Sequence, residues 1–398
     1  MNTTNKRKDL IYFPSCSTFY SKAKVDKRIT PEATYRFYSK TTEEYFRHKF
    51  FLLSAGANYK KKTMREDMGL ERSLVLGDSG GFQIATGVLK YETRLIEEIF
   101  EWLENNSDVA MNIDVPPRMK YEGRFEEALE ISLKNFKYFD KHQTGKTEFL
   151  NVLQPNTTCY GYKIWYEQVK DFEFKGWSLG EIKNMSNIMY CMALLLQKRE
   201  LEKKSCKWIH FLGETTPDSM VIFGILQEYC NRYYPQISIT CDSSTPVKQI
   251  VFGNWIFDID FKNLNWNYLY FGNKGRMEYN SHGELPCGIN CPVCRHIHFS
   301  DIEPMDTNAT DYMTFHNLYM YFDAFKKLNR FSQSSLQMYE AFYSKNKEFY
   351  KIIVSIDEMF KNPDKALLLF EKYKPIYNLF SNKIKNTTDT KILADLFD

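Results

Sequence analysis

Six short apolar runs, separated by amphipathic segments and each ending in a polar residue or glycine, predict a (β/α)8 barrel. They are Leu74–Gly77 before Asp78, Val109–Ile113 before Asp114, and Phe149–Leu153 before Gln154. Trp177–Leu179 before Gly180, Trp208–Leu212 before Gly213, and Ile237–Cys241 before Asp242 complete the set. Their endpoints recur about every 26 to 40 residues, the size of a βα unit. An open doubly wound sheet shares this alternation but concentrates its site at one switch point. Polar residues at so many strand ends fit the barrel better, because there the C-terminal ends of the strands carry the chemistry. The chain has room for two further units.

The segments between the runs read as helices. Ile96, Ile99, Phe100 and Leu103 share one face, as do Phe125, Leu129, Leu133 and Phe136 in the next segment. Thr216-Pro217-Asp218 is a helix start, with proline tolerated in the first turn. The expected organisation is a barrel region with a basic N-terminal segment over 1–280, a zinc-binding subdomain over 281–330 and a helical segment over 331–398. No internal repeat, low-complexity tract or flexible linker interrupts it.

The 398 residues are 43% hydrophobic and 26% charged, ordinary for a soluble globular protein. The 27 Tyr and 31 Phe read first as core and second as stacking surface for bases. Net charge is only +3, yet residues 1–60 hold 12 Lys+Arg against 5 Asp+Glu, a local +7. That excess suits a phosphate-facing arm or a solvated surface equally. No apolar run approaches the roughly 18 residues that would span a membrane. Met1–Lys8 has no apolar stretch of the secretory kind. Six scattered cysteines (Cys16, Cys159, Cys191, Cys206, Cys230, Cys241) suggest a reducing, cytoplasmic setting.

The other three cysteines are clustered in Cys287-Gly288-Ile289-Asn290-Cys291-Pro292-Val293-Cys294. Three thiolates in eight residues point to tetrahedral zinc that needs a fourth ligand. The candidates are His296, His298 and His316; the first two leave little backbone to fold round Cys294, whereas His316, on a helical segment, can approach from the other side. A closed Cys3His site is structural rather than catalytic. Free thiols or a disulfide are the plainer reading, and a disulfide is unexpected in a reducing compartment.

Asp78 and Asp242 stand out at two strand ends. Two carboxylates at a barrel mouth suit glycosidic chemistry, one attacking the sugar and the other handling a proton. Alone such a pair says little, since many strand-end aspartates only cap the next helix.

Taken in order, the motifs resemble the tRNA-guanine transglycosylase superfamily from about residue 74 to 320. Asp78-Ser79-Gly80-Gly81-Phe82-Gln83 matches its first strand-end motif, and Asn112-Ile113-Asp114-Val115-Pro116 its second acidic one. Asn151–Gln154, Gly176–Gly180, and Phe211-Leu212-Gly213 with Thr216-Pro217 resemble the next three. Cys241-Asp242-Ser243 resembles the nucleophile strand, and Cys291–Cys294 with His316–Tyr319 the zinc subdomain. The resemblance implies that Asp242 attacks C1′ and that Asp78 is the general acid/base. It implies that Asp114 accepts from the guanine N1–H and 2-amino group, and that Gln154 and backbone N–H groups near Gly180 read O6. Phe82 and Leu212 would sandwich the base, with Ser79 and Gly213 also among the substrate-binding residues.

Three departures narrow the resemblance. The arginine that follows the nucleophile in bacterial tRNA enzymes is missing from Ser243-Ser244-Thr245-Pro246-Val247-Lys248. The cysteine spacing is Cx3CxxC rather than CxCxxC, and no added RNA-binding domain of the archaeal kind is legible. The wording Trp208–Gly213 is closer to the DpdA-type branch, which inserts 7-deazaguanines into DNA in bacteria and phages. The expectation is a DNA-guanine transglycosylase of a bacterial or phage-infected cell. It would exchange guanine for a 7-deazaguanine such as preQ0, with structural Zn2+, and leaves room for helper proteins or a homodimer. The alternatives are a tRNA-guanine transglycosylase, or a non-catalytic nucleic-acid-binding subunit, against which the presence of both Asp78 and Asp242 argues.

Overall fold

The computed structural model describes residues 7–15, 37, 47–270, 291–298 and 307–385. Eight parallel strands form a nearly closed barrel: β1 (Ile11–Pro14), β2 (Phe50–Ser54), β3 (Leu74–Asp78), β4 (Val109–Met111), β5 (Glu148–Leu153), β6 (Gly176–Leu179), β7 (Trp208–Phe211) and β8 (Ser238–Ser243). The hydrogen-bonded order is β1-β8-β7-β6-β5-β4-β3-β2. Strands β3 to β8 are the six apolar runs, with ends shifted by one or two residues. Buried from both sides, such strands read as continuous apolar runs.

The two further units lie inside the basic N-terminal segment. β1 pairs with β8 and β2 with β3, so part of that segment builds the barrel wall. Two of its cations are also engaged internally: Arg7 pairs with Glu228 at 3.0 Å, and the Lys8 Nζ donates to the Gln236 carbonyl at 2.6 Å. β1 and β2 lie side by side without a ladder between them in the strand order. His48, just before β2, bridges this seam by a 2.8 Å hydrogen bond from Nε2 to the Tyr12 carbonyl. Burial lowers its pKa to about 4, so the ring is neutral near pH 7 and Nε2 carries the hydrogen.

The longer helices follow the expected faces. α1 (Gly81–Ala85) opens directly after β3, and α2 (Thr93–Asn106) buries Ile96, Ile99, Phe100 and Leu103. α3 (Phe125–His142), α4 (Gly161–Val169), α5 (Met185–Gln197), α6 (Pro217–Tyr233) and α7 (Thr245–Val251) continue the alternation. A hairpin follows, β9 (Asn254–Asp260) and β10 (Asn265–Tyr270), paired antiparallel. α8 (Thr307–Phe331) closes over the seam: Phe325 stacks on Tyr12 at 4.7 Å and Phe322 on His48 at 4.2 Å.

The last helices, α9 (Leu336–Phe342), α10 (Lys347–Lys361) and α11 (Ala366–Lys385), pack on the barrel's outer helices. Tyr229 of α6 donates to Asp357 of α10 at 2.8 Å, and Ser186 of α5 to Asn378 of α11 at 2.7 Å. Among the described residues no helix is long and apolar enough to cross a membrane.

Candidate active site and metal centre

The C-terminal ends of the strands surround a cavity of about 360 Å³. Asp78, Phe82, Asp114, Gln154, Gly180, Leu212, Gly213 and Asp242 all line it. Ser79 does not: it is buried, and its hydroxyl donates to the Asn112 carbonyl at 3.1 Å. It braces the β3 and β4 ends rather than facing a ligand.

Asp78 ends β3. The β2–β3 register sets Ser54 beside it, and the Ser54 hydroxyl donates to Oδ2 at 2.8 Å. The Gly80 N–H donates to Oδ1 at 3.2 Å. Burial raises the Asp78 pKa and outweighs these donors, and the neighbouring Asp242 charge raises it further.

Asp242 lies near the end of β8 in a different environment. Its Oδ1 accepts from the Gly213 N–H at 2.7 Å and faces His210 Nε2 at 3.2 Å. Its Oδ2 has no hydrogen-bond partner among the described residues. One carboxylate oxygen is thus anchored and the other is left to the cavity.

Asp114 and Gln154 form a pair across β4 and β5. Gln154 Nε2 donates to Asp114 Oδ2 at 2.7 Å, while Gln154 Oε1 is buried without a partner. Burial carries the Asp114 pKa up to about 6, against the opposing effects of Gln154 and Arg118. Two glycines permit this packing. A Cβ at Gly81 would collide with the Asp114 carbonyl, and one at Gly180 with the Gln154 amide. An acceptor beside an amide with spare capacity suits a planar ligand carrying donors next to a carbonyl.

Phe82 and Leu212 lie on the lining as expected, but Phe82 is 44% exposed at the rim. The Arg118 guanidinium sits over its ring, 4.6 Å from the centroid. Arg118 also pairs with Glu181, whose backbone is left-handed with φ of 52°. Lys183 and Lys248 add two rim cations without ion-pair partners among the described residues. The sequence reading missed Arg118, Glu181, Lys183, Lys248, Ser54 and His210 as parts of the site. Arg118 follows Asp114 by only four residues on the loop after β4, and His210 precedes Leu212 by two near the end of β7, but neither position alone names a part of the site.

The metal group lies against the β9–β10 hairpin. Cys291, Cys294 and His316 present ligand atoms that all fall within 4.8 Å of one another, all three residues buried. His316 Nδ1 faces the Cys291 and Cys294 sulfurs at 3.3 and 3.1 Å, while its Nε2 contacts the Ile256 carbonyl at 2.5 Å. A carbonyl accepts only from N–H, so the hydrogen sits on Nε2 and the Nδ1 lone pair points at the sulfurs. That is how an outer hydrogen bond prepares a metal-binding imidazole, so the three residues fit a metal ion. Cys287, the expected fourth ligand, lies outside the described residues. Cys294 is disulfide-bonded here, contrary to the expectation from cysteine usage. Only the reduced thiol offers a ligand, so a metal ion at Cys294 needs the reduced form.

Against known proteins the chain matches no family model, and no characterised protein matches it in sequence.

Proposed function

We propose that this protein is a base-exchange transglycosylase acting on guanine in nucleic acid. The observation that carries the reading is the unlike setting of two aspartates on one cavity. Asp242 is anchored through one oxygen and offers the other, whereas burial favours a proton on Asp78. A carboxyl that holds its proton suits the acid role, and a carboxylate oxygen left to the cavity suits the nucleophile.

In this reading Asp242 attacks C1′ of a flipped nucleotide and the C1′–N9 bond breaks. Asp78 gives its proton to the departing guanine. The incoming 7-deazaguanine returns a proton from N9–H to Asp78 as its N9 attacks C1′ and releases Asp242. No net proton is consumed, and double displacement retains configuration. Asp114 and Gln154 read the base edge, with Phe82 and Leu212 against its faces. The strand-end motifs that resemble the transglycosylase superfamily line this one mouth although they are spread over the chain, which supports the assignment. The polymer is DNA and the incoming base a 7-deazaguanine such as preQ0, on the departures from the tRNA enzymes described above. The metal held by Cys291, Cys294 and His316 is zinc, since mixed thiolate and imidazole donors suit it. It has a structural role away from the reaction.

The test offers purified protein labelled guanine or preQ0 together with DNA and, in parallel, unmodified tRNA. Label entering DNA is expected, faster in single strands than in closed duplex because flipping costs stacking energy. Label in tRNA alone overturns the choice of polymer. Label in neither overturns the activity.

A further inference from the structure

We propose that His210 is a positioning residue which, with the Gly213 N–H, stabilises the charge that returns to Asp242 each time the sugar leaves it. The inference rests on the transglycosylase reading above and adds a residue to which the sequence motifs assign no role.

The barrel's own geometry places it. The β7–β8 register sets His210 opposite Thr240. Residues two apart on a strand share a face, so Thr240 and Asp242 project the same way. The imidazole therefore spans them: Nδ1 lies 2.8 Å from the Thr240 hydroxyl and Nε2 lies 3.2 Å from Asp242 Oδ1. The ring is fully buried, with Phe13 edge-on at 6.4 Å.

The hydrogen positions follow from chemistry. A bare Nε2 lone pair facing a carboxylate oxygen would repel it, so Nε2 carries hydrogen and donates to Oδ1. The Thr240 hydroxyl partners Nδ1 at 2.8 Å, and a hydroxyl can donate to a bare ring nitrogen or accept from one that carries hydrogen. Thr240 thus orients the ring, His210 donates to the nucleophile, and Gly213 supplies a second donor to the same oxygen.

Two donors on Oδ1 matter most when that oxygen carries charge. In the glycosyl-enzyme Asp242 is an ester and Oδ1 is a neutral carbonyl. As the C1′–O bond breaks, the electron pair returns to the carboxylate and both hydrogen bonds strengthen. The effect resembles an oxyanion hole built for a leaving carboxylate. The same donors hold Oδ1 during attack, so that Oδ2 is the oxygen presented to C1′. Loss of a donor therefore slows the release half-reaction, which then limits turnover in guanine exchange.

The test is steady-state guanine exchange by His210→Phe, His210→Gln and Thr240→Val beside the parent protein. Phenylalanine keeps ring volume without a donor, and kcat should fall about 10²-fold. KM for guanine and the Kd for the oligonucleotide should stay within about twofold, since the buried ring does not line the cavity that the ligands enter. Glutamine brings back an N–H donor and should recover most of kcat. Thr240→Val removes the group that orients the ring and should lower kcat about tenfold, the scale of an outer hydrogen-bond partner. A His210→Phe protein with the parent's kcat overturns the inference, as does Thr240→Val at the parent's rate or a glutamine variant no better than phenylalanine. If the parent exchanges no base at all, the transglycosylase reading fails instead, so the two failures are distinguishable.

Discussion

Replacing Asp114 by Asn should make the protein more stable and worse at binding guanine, and the stability gain should depend on pH in a defined way. The Asp114 carboxyl is buried and its pKa rises from 3.8 to about 6. Folding therefore favours the protonated form. Between these two values the folded state binds more protons than the unfolded one, so stability falls as pH rises through the window. Below 3.8 the carboxyl is neutral in both states and the effect is absent. Above about 6 it is complete. At about 1.4 kcal/mol per pKa unit, keeping the carboxylate ionised in its pocket costs about 3 kcal/mol.

Asparagine removes that cost and can still accept the Gln154 N–H through its side-chain oxygen. Asp114→Asn should gain up to about 3 kcal/mol over the parent at pH 8 and little at pH 4. The assay is denaturant unfolding of both proteins at several pH values, from pH 4 to pH 8. The same substitution places an amide where a ligand needs an acceptor for two donors. Guanine binding should weaken by about 1–3 kcal/mol for each buried donor left unpaired. In the parent, guanine affinity should rise with pH through about 6 and then level off. An asparagine variant less stable than the parent at pH 8, or equally shifted at pH 4 and pH 8, would refute the reasoning.

The remaining expectations concern the carboxylates of the chemistry and the seam. Asp242→Ala should abolish exchange and Asp242→Asn should form no covalent adduct on denaturing gels; exchange near the parent rate in either would remove the nucleophile assignment. Asp78→Asn should keep guanine binding while turnover falls about 10²–10⁴-fold, the range for a lost proton-transfer group. His48 makes a separate acid-sensitive element, because its folded pKa of about 4 lies below the ordinary 6.5. A depressed histidine supports the fold above 6.5 and loses that contribution as pH falls to about 4. The loss amounts to about 3 kcal/mol at most. His48→Phe should shrink the stability difference between pH 7 and pH 4; an unchanged difference would mean the ring is not held neutral at the seam.

What the sequence made legible follows from how each feature is encoded. Strands β3 to β8 announce themselves because parallel barrel strands are buried on both faces. β1 and β2 do not: β1 is four residues long and runs into Pro14, and β2 follows Arg47-His48-Lys49. Their basic flanks resemble an arm, and only the ladders to β8 and β3 reveal them as barrel wall. Asp78, Asp114, Gln154 and Asp242 were legible because a polar residue closing an apolar run is a local pattern. Ser54 and His210 were not, because each reaches its aspartate across a strand pair and depends on register. Arg118 and Glu181 meet from two different loops, and neither sequence neighbourhood names the other. Ser79 shows the reverse case, a residue beside the site in sequence that turns its hydroxyl into the scaffold.

The metal centre and the reaction cavity are joined by two consecutive residues of α8, and this predicts what metal loss should do. His316 turns Nδ1 to the cysteines and Nε2 to the Ile256 carbonyl. Asn317, next to it, donates to the Pro246 and Asn254 carbonyls, both at 3.1 Å, and accepts from the Ile256 N–H at 2.9 Å. Pro246 lies in the first turn of α7, four residues after Asp242. The cysteine segment therefore fixes one turn of α8, and that turn fixes the backbone just beyond the proposed nucleophile. Under reducing conditions the protein should carry one zinc per chain, and chelation should lower the melting temperature, because structural metal binding contributes directly to folding. His316→Ala should act like chelation. Amide exchange should quicken over residues 244–256 before it does over β4 and β5, which do not pair with β8. Turnover should fall in parallel while Asp114-dependent guanine binding survives. A reduced protein without stoichiometric metal would remove the zinc assignment. Uniform amide exchange throughout the barrel on chelation would show that metal and nucleophile strand are not coupled through Asn317.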